Sequence, residues 1–191
     1  GPAGKALARA KLKPYRFRSK EALALINGTQ LMTALLAEAI VAAEELLVFA
    51  DLAGAMSLEA MKGSAAPCDA RVHKARAHPG QGTVADNVRR LLAGSGVLES
   101  HRDCAKVQDA YSLRCIPQVH GAARDAFDFA KRSLVIEVNS ATDNPLVLGQ
   151  DVISAGNFHG QPMAQAADVL SIALTSVANI SEGRIERLTN P

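Results

Sequence analysis

Residues 29–52 read TQLMTALLAEAIVAAEELLVFADL. Apolar side chains recur there at the three- and four-residue steps of an α-helix, so the stretch predicts one long helix from about Thr29 to Leu52. Leu31, Leu35, Ala42, Leu46 and Phe49 fall within one broad stripe of it, and Ala39, Ala43 and Ala50 widen that face. Glu38 cuts the apolar run Leu31–Ala37, and Glu44 and Glu45 cut Val41–Ala43. The helix is therefore expected to pack in a protein core and not to cross a membrane, and no other apolar run reaches spanning length.

Working outward, Ser19 is expected to cap a short helix through Ala22 and Leu25, which Asn27-Gly28 interrupts. Gly54 should end the long helix, and Ser57 should cap a further short one that stops at Gly63. Periodicity fails from Ser64 to Gln81, where prolines and glycines point to an irregular stretch. A helix from about Val84 to Leu92 precedes the Gly94-Ser95-Gly96 break, and Glu99 to Asp109 reads as irregular. A second long helix is expected from near Leu113 to Glu137, with Pro117 close to its start, where a missing amide costs least. Its buried face would be Ala122, Ala126, Phe127, Ala130 and Leu134. Asn139 to Pro145 is rich in turn residues. Leu146–Leu148 and Val152–Ile153 flank Gly149-Gln150-Asp151 as a small hairpin. The last long helix runs from about Pro162 to Leu188, with Leu170, Leu174, Val177 and Ile185 on one stripe. Three long helices with broad apolar surfaces must pack on one another or complete a larger bundle. The fold class expected is all-α: long antiparallel helices forming part of a helical bundle, with irregular loops and one small hairpin.

Composition agrees. Of 191 residues 48% are hydrophobic but only 4% aromatic, which suits packed helices better than aromatic-rich strands. The formal charge is +2, from 21 basic and 19 acidic residues, too balanced to draw the chain to nucleic acid or to a membrane surface. The three cysteines, Cys68, Cys104 and Cys115, form no Cys-x-x-Cys pair, so a disulfide framework or zinc site is not expected and a reducing cytoplasm is.

The residues with chemical potential sit in the irregular stretches. His73 and His78 flank Arg76 in a Pro/Gly loop; no third ligand has diagnostic spacing, so capping or solvent exposure is the expected role and no metal is. Gln108, Tyr111 and Arg114 occur together. An arginine just inside a helix start sits near the positive end of the dipole, a cost that a bound carboxylate would offset through a bidentate pair. The plainer reading, a surface arginine beside a packed tyrosine, stays open on these residues alone. Cys115 reads as a small apolar residue, not a nucleophile. Ala155 to Gly160 could approach a ligand closely, although a glycine-flanked turn is the ordinary explanation.

Six separated segments carry a family resemblance. Leu23–Gln30 (LALINGTQ), Gln108–Cys115 (QDAYSLRC), Pro117–Gly121 (PQVHG), Asp143–Leu146 (DNPL), Gly156–Gly160 (GNFHG) and the Asp69–Gln81 loop resemble motifs of the histidine ammonia-lyases, within the aromatic amino acid ammonia-lyase family. They occur in the family's order and cover nearly all residues 1–191, which read as a single central helical segment of such an enzyme. The resemblance implies conversion of L-histidine to trans-urocanate and ammonia in a homotetramer, with sites built between subunits and no external cofactor. The family instead cyclises an internal Ala-Ser-Gly into a methylidene-imidazolone electrophile, and a tyrosine base takes the β-proton. By resemblance, Asn27 would hydrogen-bond near the electrophile, Gln108 and Tyr111 would line the site, Arg114 would hold the substrate carboxylate, and Phe158 would sit beside the electrophile.

No Ala-Ser-Gly occurs among the 191 residues. Ser154-Ala155-Gly156 has the wrong order, and Gly94-Ser95-Gly96 lies outside the family position. The family's tripeptide and catalytic tyrosine precede the Asn27 motif, and an acidic residue near the substrate imidazole follows Pro191. The sequence thus resembles the middle of the enzyme, and these residues alone are expected to be inactive. Two alternatives remain: a helical assembly module without catalysis of its own, and a segment of a tyrosine or phenylalanine ammonia-lyase.

Overall fold

The computed structural model describes residues 2–104 and 106–190. The chain is mostly helical with one small hairpin, and it divides into two compact units, residues 1–31 with 141–160 and residues 32–140 with 161–191. Gly1, Ala105 and Pro191 lie outside the described residues, so the expected irregular stretch Glu99–Asp109 can be followed except at Ala105.

The first unit holds α1 (Ala3–Arg9), α2 (Glu21–Ile26) and an antiparallel hairpin of β1 (Leu146–Leu148) and β2 (Asp151–Ile153), with Val147 opposite Val152. α1 was not expected from the sequence. Ser19 does not cap α2: the capping position is Lys20, in the left-handed region at φ 72°, with no side-chain cap bond. The Lys20 ammonium instead reaches the Asp143 carboxylate and the Asn144 carbonyl, both at 2.8 Å. Asn144 Oδ1 in turn accepts from the Ala155 amide at 2.7 Å, which ties the DNPL loop to the chain leaving the hairpin.

The second unit is built on α3 (Gln30–Ala60), whose first two residues belong to the first unit, and then α4 (Ala70–Ala75), α5 (Pro79–Leu91), α6 (Gly96–Ser100), α7 (Tyr111–Arg114), α8 (Ile116–Val138) and α9 (Gln161–Thr189). Two clusters form its core. Leu36, Ile40, Ala43 and Leu47 of α3, Phe127, Ala130 and Leu134 of α8, and Met163, Leu170 and Val177 of α9 make the larger. Leu58, Cys68, Val84, Val88, Leu113 and Ile116 belong to the smaller. Cys68 is buried there, and burial pushes its thiol up to about 11, which keeps it protonated and inert.

Several expectations need correction. α3 does not end at Gly54 but continues to Ala60, and Ser57 is a helix-interior residue whose hydroxyl donates back to the Ala53 carbonyl at 2.7 Å. Gly54 serves packing instead: a Cβ there would lie 3.2 Å from Ile116 Cδ1. The buried stripe of α3 is rotated from the expected one. Ala43 and Ala50 are buried as foreseen, but Leu31, Leu35, Ala39, Ala42, Leu46 and Phe49 are exposed while Leu36, Ile40 and Leu47 are buried. On α8, Ala122 faces solvent; on α9, Ile185 is exposed and Leu174 half-buried. The irregular stretches are also more ordered than their composition suggests. Asp69 caps α4 by accepting from the Arg71 amide at 2.8 Å, and the Arg71 guanidinium beside it holds its carboxyl well below the usual range. α5 starts at Pro79, five residues before the expected Val84, and Ser95 caps α6 through the Leu98 amide at 3.1 Å. The helix expected from Leu113 to Glu137 is two, separated at Cys115, with Pro117 in the first turn of the second.

α5 and α8 meet backbone to backbone. A methyl on Gly80 would overlap the Gly121 carbonyl oxygen, and one on Gly121 would overlap the backbone of Gln81. The Gly80 amide donates to Asp125 Oδ1 of α8 at 2.8 Å, so a side chain of one helix closes the amino end of the other.

α9 has an 18-residue window of mean hydropathy 1.3, which by length and composition alone suffices to cross a membrane. This departs from the expectation that no segment would. A core helix passes the same test, and α9 gives Met163, Ala166, Leu170, Ala173 and Val177 to the core shared with α3 and α8.

Candidate functional site

One turn of helix organises the best candidate site. α7 is four residues long, far too short to be stable by itself. Leu113 anchors it in the smaller core cluster, and Gln108, Tyr111 and Arg114 are left around its outer side. The Arg114 guanidinium donates from Nη1 to Gln108 Oε1 at 2.5 Å, and its Cζ lies 4.9 Å from the centre of the Tyr111 ring. Tyr111 is 72% exposed, an open aromatic face beside the cation and not the packed tyrosine of the plainer reading. Arg114 is the last residue of α7, and Cys115 (φ −100°, ψ 14°) separates it from α8. The expectation of a cation just inside a helix start is therefore wrong, because the chain breaks between the two helices. Cys115 itself is half-buried.

A cleft of about 960 Å³ borders Gln108 and Arg114, with Ser64, Ser95, Glu99 and His101 among its other walls. The neighbouring charges are largely matched. Lys106 pairs with Asp109 at 2.9 Å and Arg102 with Glu99 at 2.6 Å, while Asp109 also accepts from the Ser64 amide at 2.7 Å. Arg114 has no carboxylate partner among the described residues: a neutral amide oxygen and an aromatic face are what hold it. Such a guanidinium can still present a planar pair of donors to a carboxylate entering the cleft.

The other two residues singled out in the sequence, Asn27 and Phe158, belong to the first unit. Asn27 follows the last turn of α2, where its amide donates to the Leu23 carbonyl at 2.9 Å, and its side chain is exposed. Phe158 is 38% exposed in the loop after the hairpin, next to Asn157, whose side chain donates to the Ala141 carbonyl at 3.3 Å. The loop histidines divide. His73 is buried, its Nε2 3.0 Å from the Pro67 carbonyl and its Nδ1 3.0 Å from the Gln81 amide nitrogen, whereas His78 is exposed. No three metal-ligating side chains cluster among the described residues.

Two polar features escaped sequence reasoning. Asp51 of α3 is 2% exposed and accepts from His120 Nδ1 (3.0 Å), Asn87 Nδ2 (2.9 Å) and Arg124 Nη2 (2.6 Å). Burial pushes its carboxyl up, but these hydrogen bonds and the Arg124 charge outweigh burial and hold it below the ordinary value. The spacing of His120 and Arg124, one helical turn apart, was the available signal. The second feature is Arg184 of α9, 3% exposed, whose guanidinium is pulled down from its ordinary value by burial. It donates to the Ser181 hydroxyl at 2.7 Å and to the Ser112 carbonyl at 3.4 Å.

Known proteins are similar to this chain in sequence and fold. The family of aromatic amino acid lyases matches residues 1–191. The histidine ammonia-lyase of Sorangium cellulosum is 55% identical over 197 residues, and that of Myxococcus xanthus 54% over 192; each alignment takes in 100% of this chain. The chain spans 38% of the length of either protein. Among solved structures, the histidine ammonia-lyase of Trypanosoma cruzi superposes with a TM-score of 0.85 at 44% identity, over 99% of this chain and 35% of that one. The tyrosine aminomutase of Streptomyces globisporus superposes at 0.88 with 40% identity, over 98% of this chain and 39% of that one.

Proposed function

The chain belongs to the aromatic amino acid lyase family, and on that premise we propose that it supplies the carboxylate-holding side of a histidine ammonia-lyase, which converts L-histidine to trans-urocanate and ammonia. The observation that carries this reading is Arg114, a cation beside a cleft, held by Gln108 and Tyr111 and matched by no carboxylate among the described residues. The whole-chain identity of 54–55% to proteins named histidine ammonia-lyase favours histidine as the amino acid.

In this reading Arg114 grips the substrate carboxylate with two parallel hydrogen bonds, which fixes the Cα–Cβ bond relative to the reacting groups. Gln108 sets the plane of the guanidinium. The Tyr111 face covers one side of it, restricting water there and strengthening the ion pair. Asn27 and Phe158 are retained as candidates of the first unit, an amide for developing charge and an aromatic wall. The reaction removes the amino group and a β-proton. The family's electrophile is made from Ala-Ser-Gly, which these 191 residues lack, so they cannot form it themselves. The three free thiols agree with a reducing compartment, the cytoplasm.

A polypeptide of these 191 residues, mixed with L-histidine, should give no rise in the ultraviolet absorbance of urocanate, while a full-length lyase bearing the sequence should. Without an electrophile the β-proton is too weakly acidic to be removed at a useful rate. Steady urocanate formation by the 191 residues, at verified mass, would overturn the assignment of chemistry.

The assembly reading has an observation of its own. Leu31 (76% exposed), Leu35 (58%) and Phe49 (64%) lie open on α3, as do Ile172 (70%) and Ile185 (61%) on α9. Apolar surface of that extent usually marks a subunit interface, so a homotetramer belongs to the proposal. Sedimentation at tens of micromolar, roughly where weak oligomers form, should show species larger than a monomer. A compact monomer alone would remove assembly from the proposal.

A further inference from the structure

We infer that Arg184 is a positioning residue for the carboxylate clamp: from within α9 it holds α7 by the Ser112 carbonyl and so sets the direction in which Arg114 and Tyr111 point. The inference rests on the reading of Arg114 as the group that grips a carboxylate.

Burying a guanidinium costs free energy unless its donors are used and its charge is balanced. Arg184 is 3% exposed, yet it has no carboxylate partner among the described residues. Its acceptors are the Ser181 hydroxyl one turn earlier on the same helix and the Ser112 carbonyl, 72 residues away in sequence. A simple packing residue at that position would be apolar. What the cation accomplishes there is a bond to α7.

α7 needs one. Its amides close onto Ala110 and Tyr111: Leu113 and Arg114 donate to the Ala110 carbonyl at 3.0 and 2.9 Å, and Cys115 to the Tyr111 carbonyl at 2.8 Å. The Ser112 carbonyl lies in the last turn of a helix, where acceptors have no partner within the helix itself. Arg184 supplies a donor at that point. Leu113 fixes how deep the turn sits, but a single buried side chain leaves rotation about the turn's axis poorly determined. A second attachment at Ser112 removes that freedom. α9 runs close to α7 at this point: a Cβ on Gly183 would stand in ordinary van der Waals contact, 3.4 Å, with Ser112 Cβ. Tyr111 and Arg114 flank Ser112 by one and two residues, so a rotation of the turn moves both and swings Arg114 away from the cleft it borders.

The test uses a full-length lyase bearing this sequence, with the variants Arg184→Met, Arg184→Lys and, as a control on the clamp itself, Arg114→Lys. Two ligands separate positioning from general damage. L-histidine carries the carboxylate; histamine has the same imidazole and amine without it and is measured as a competitive inhibitor. Arg184→Met should raise KM for L-histidine about tenfold. The inhibition constant of histamine should move less than about twofold. Arg184→Lys keeps a donor and should fall between wild type and Arg184→Met. Arg114→Lys should show the same selectivity for the carboxylate ligand, and the double variant Arg114→Lys with Arg184→Met should lose less than the product of the single losses. If Arg184→Met does not fold, the carboxylate selectivity of Arg184→Lys decides by the same criterion. Unchanged KM, or equal weakening for both ligands, would overturn the inference while Arg114→Lys remains selective. Absence of selectivity in Arg114→Lys would instead overturn the clamp reading, and this inference with it.

Discussion

Replacing Asp51 with alanine should lower stability by about 3–5 kcal/mol, the usual loss when one member of a buried ion-paired network is removed. Three donors converge on this carboxylate, from α5 and from two successive turns of α8. His120 is fully buried and its Nε2 already makes no hydrogen bond among the described residues, as does Arg124 Nε. Without Asp51, His120 Nδ1 would lose its acceptor, and Arg124 would keep the Leu47 carbonyl at 2.9 Å. A urea unfolding midpoint measured with unchanged slope reads the effect; a loss under about 1 kcal/mol would show that the network contributes little. The network also sets an acid limit. Because the folded carboxyl titrates below its ordinary value of about 3.9, its contribution is complete above that pH. It is lost as the pH falls through the lower folded-state value. Asp51→Asn should flatten this acid branch of the stability profile.

Arg114→Lys, in a full-length lyase bearing the sequence, should reduce kcat/KM at least thirtyfold, about 2 kcal/mol, with little change in thermal midpoint. Lysine keeps the charge but loses the planar fork, the bond to Gln108 in its present geometry, and the guanidinium's contact with the Tyr111 ring. An arginine that served the surface alone would change stability by about 0.5 kcal/mol or less and leave kinetics intact. Wild-type kinetics in the lysine variant would take Arg114 out of the site and weaken the assignment of Gln108 and Tyr111.

The fold was more legible than its packing. Helical periodicity located the three long helices because each is long, and turn chemistry located the hairpin around Gly149. The buried side of α3 was not legible. That helix is apolar over most of its girth, so Leu35 and Leu36 satisfy the pattern equally well, and only the placement of α8 and α9 makes Leu36 the buried one. Gly54 and Ser57 misled because their local preference for helix ends is weaker than the packing that carries α3 past them. At the candidate site, motif resemblance singled out Gln108, Tyr111 and Arg114. The break at Cys115 had a local mark in Pro117, which has no amide to donate to the Leu113 carbonyl and stands in the first turn of α8. The tether from Arg184 joins segments 72 residues apart, which leaves no local mark.

The glycine-to-glycine meeting of α5 and α8 has a mechanical consequence. Two helices separated by side chains can shear past each other by exchanging rotamers. Here the backbones interlock, with Gly80 against the Gly121 carbonyl and Asp125 latched onto the Gly80 amide, so translation by even a fraction of a turn meets main-chain atoms that cannot move aside. α5 leads into Leu92, Gly94 and Ser95, which wall the cleft, and α8 begins two residues after Arg114. The interlock therefore acts as a fixed pivot for both. Adjustment to a ligand is left to the short turns between the helices, and the slowest amide exchange in the second unit should be found at this crossing.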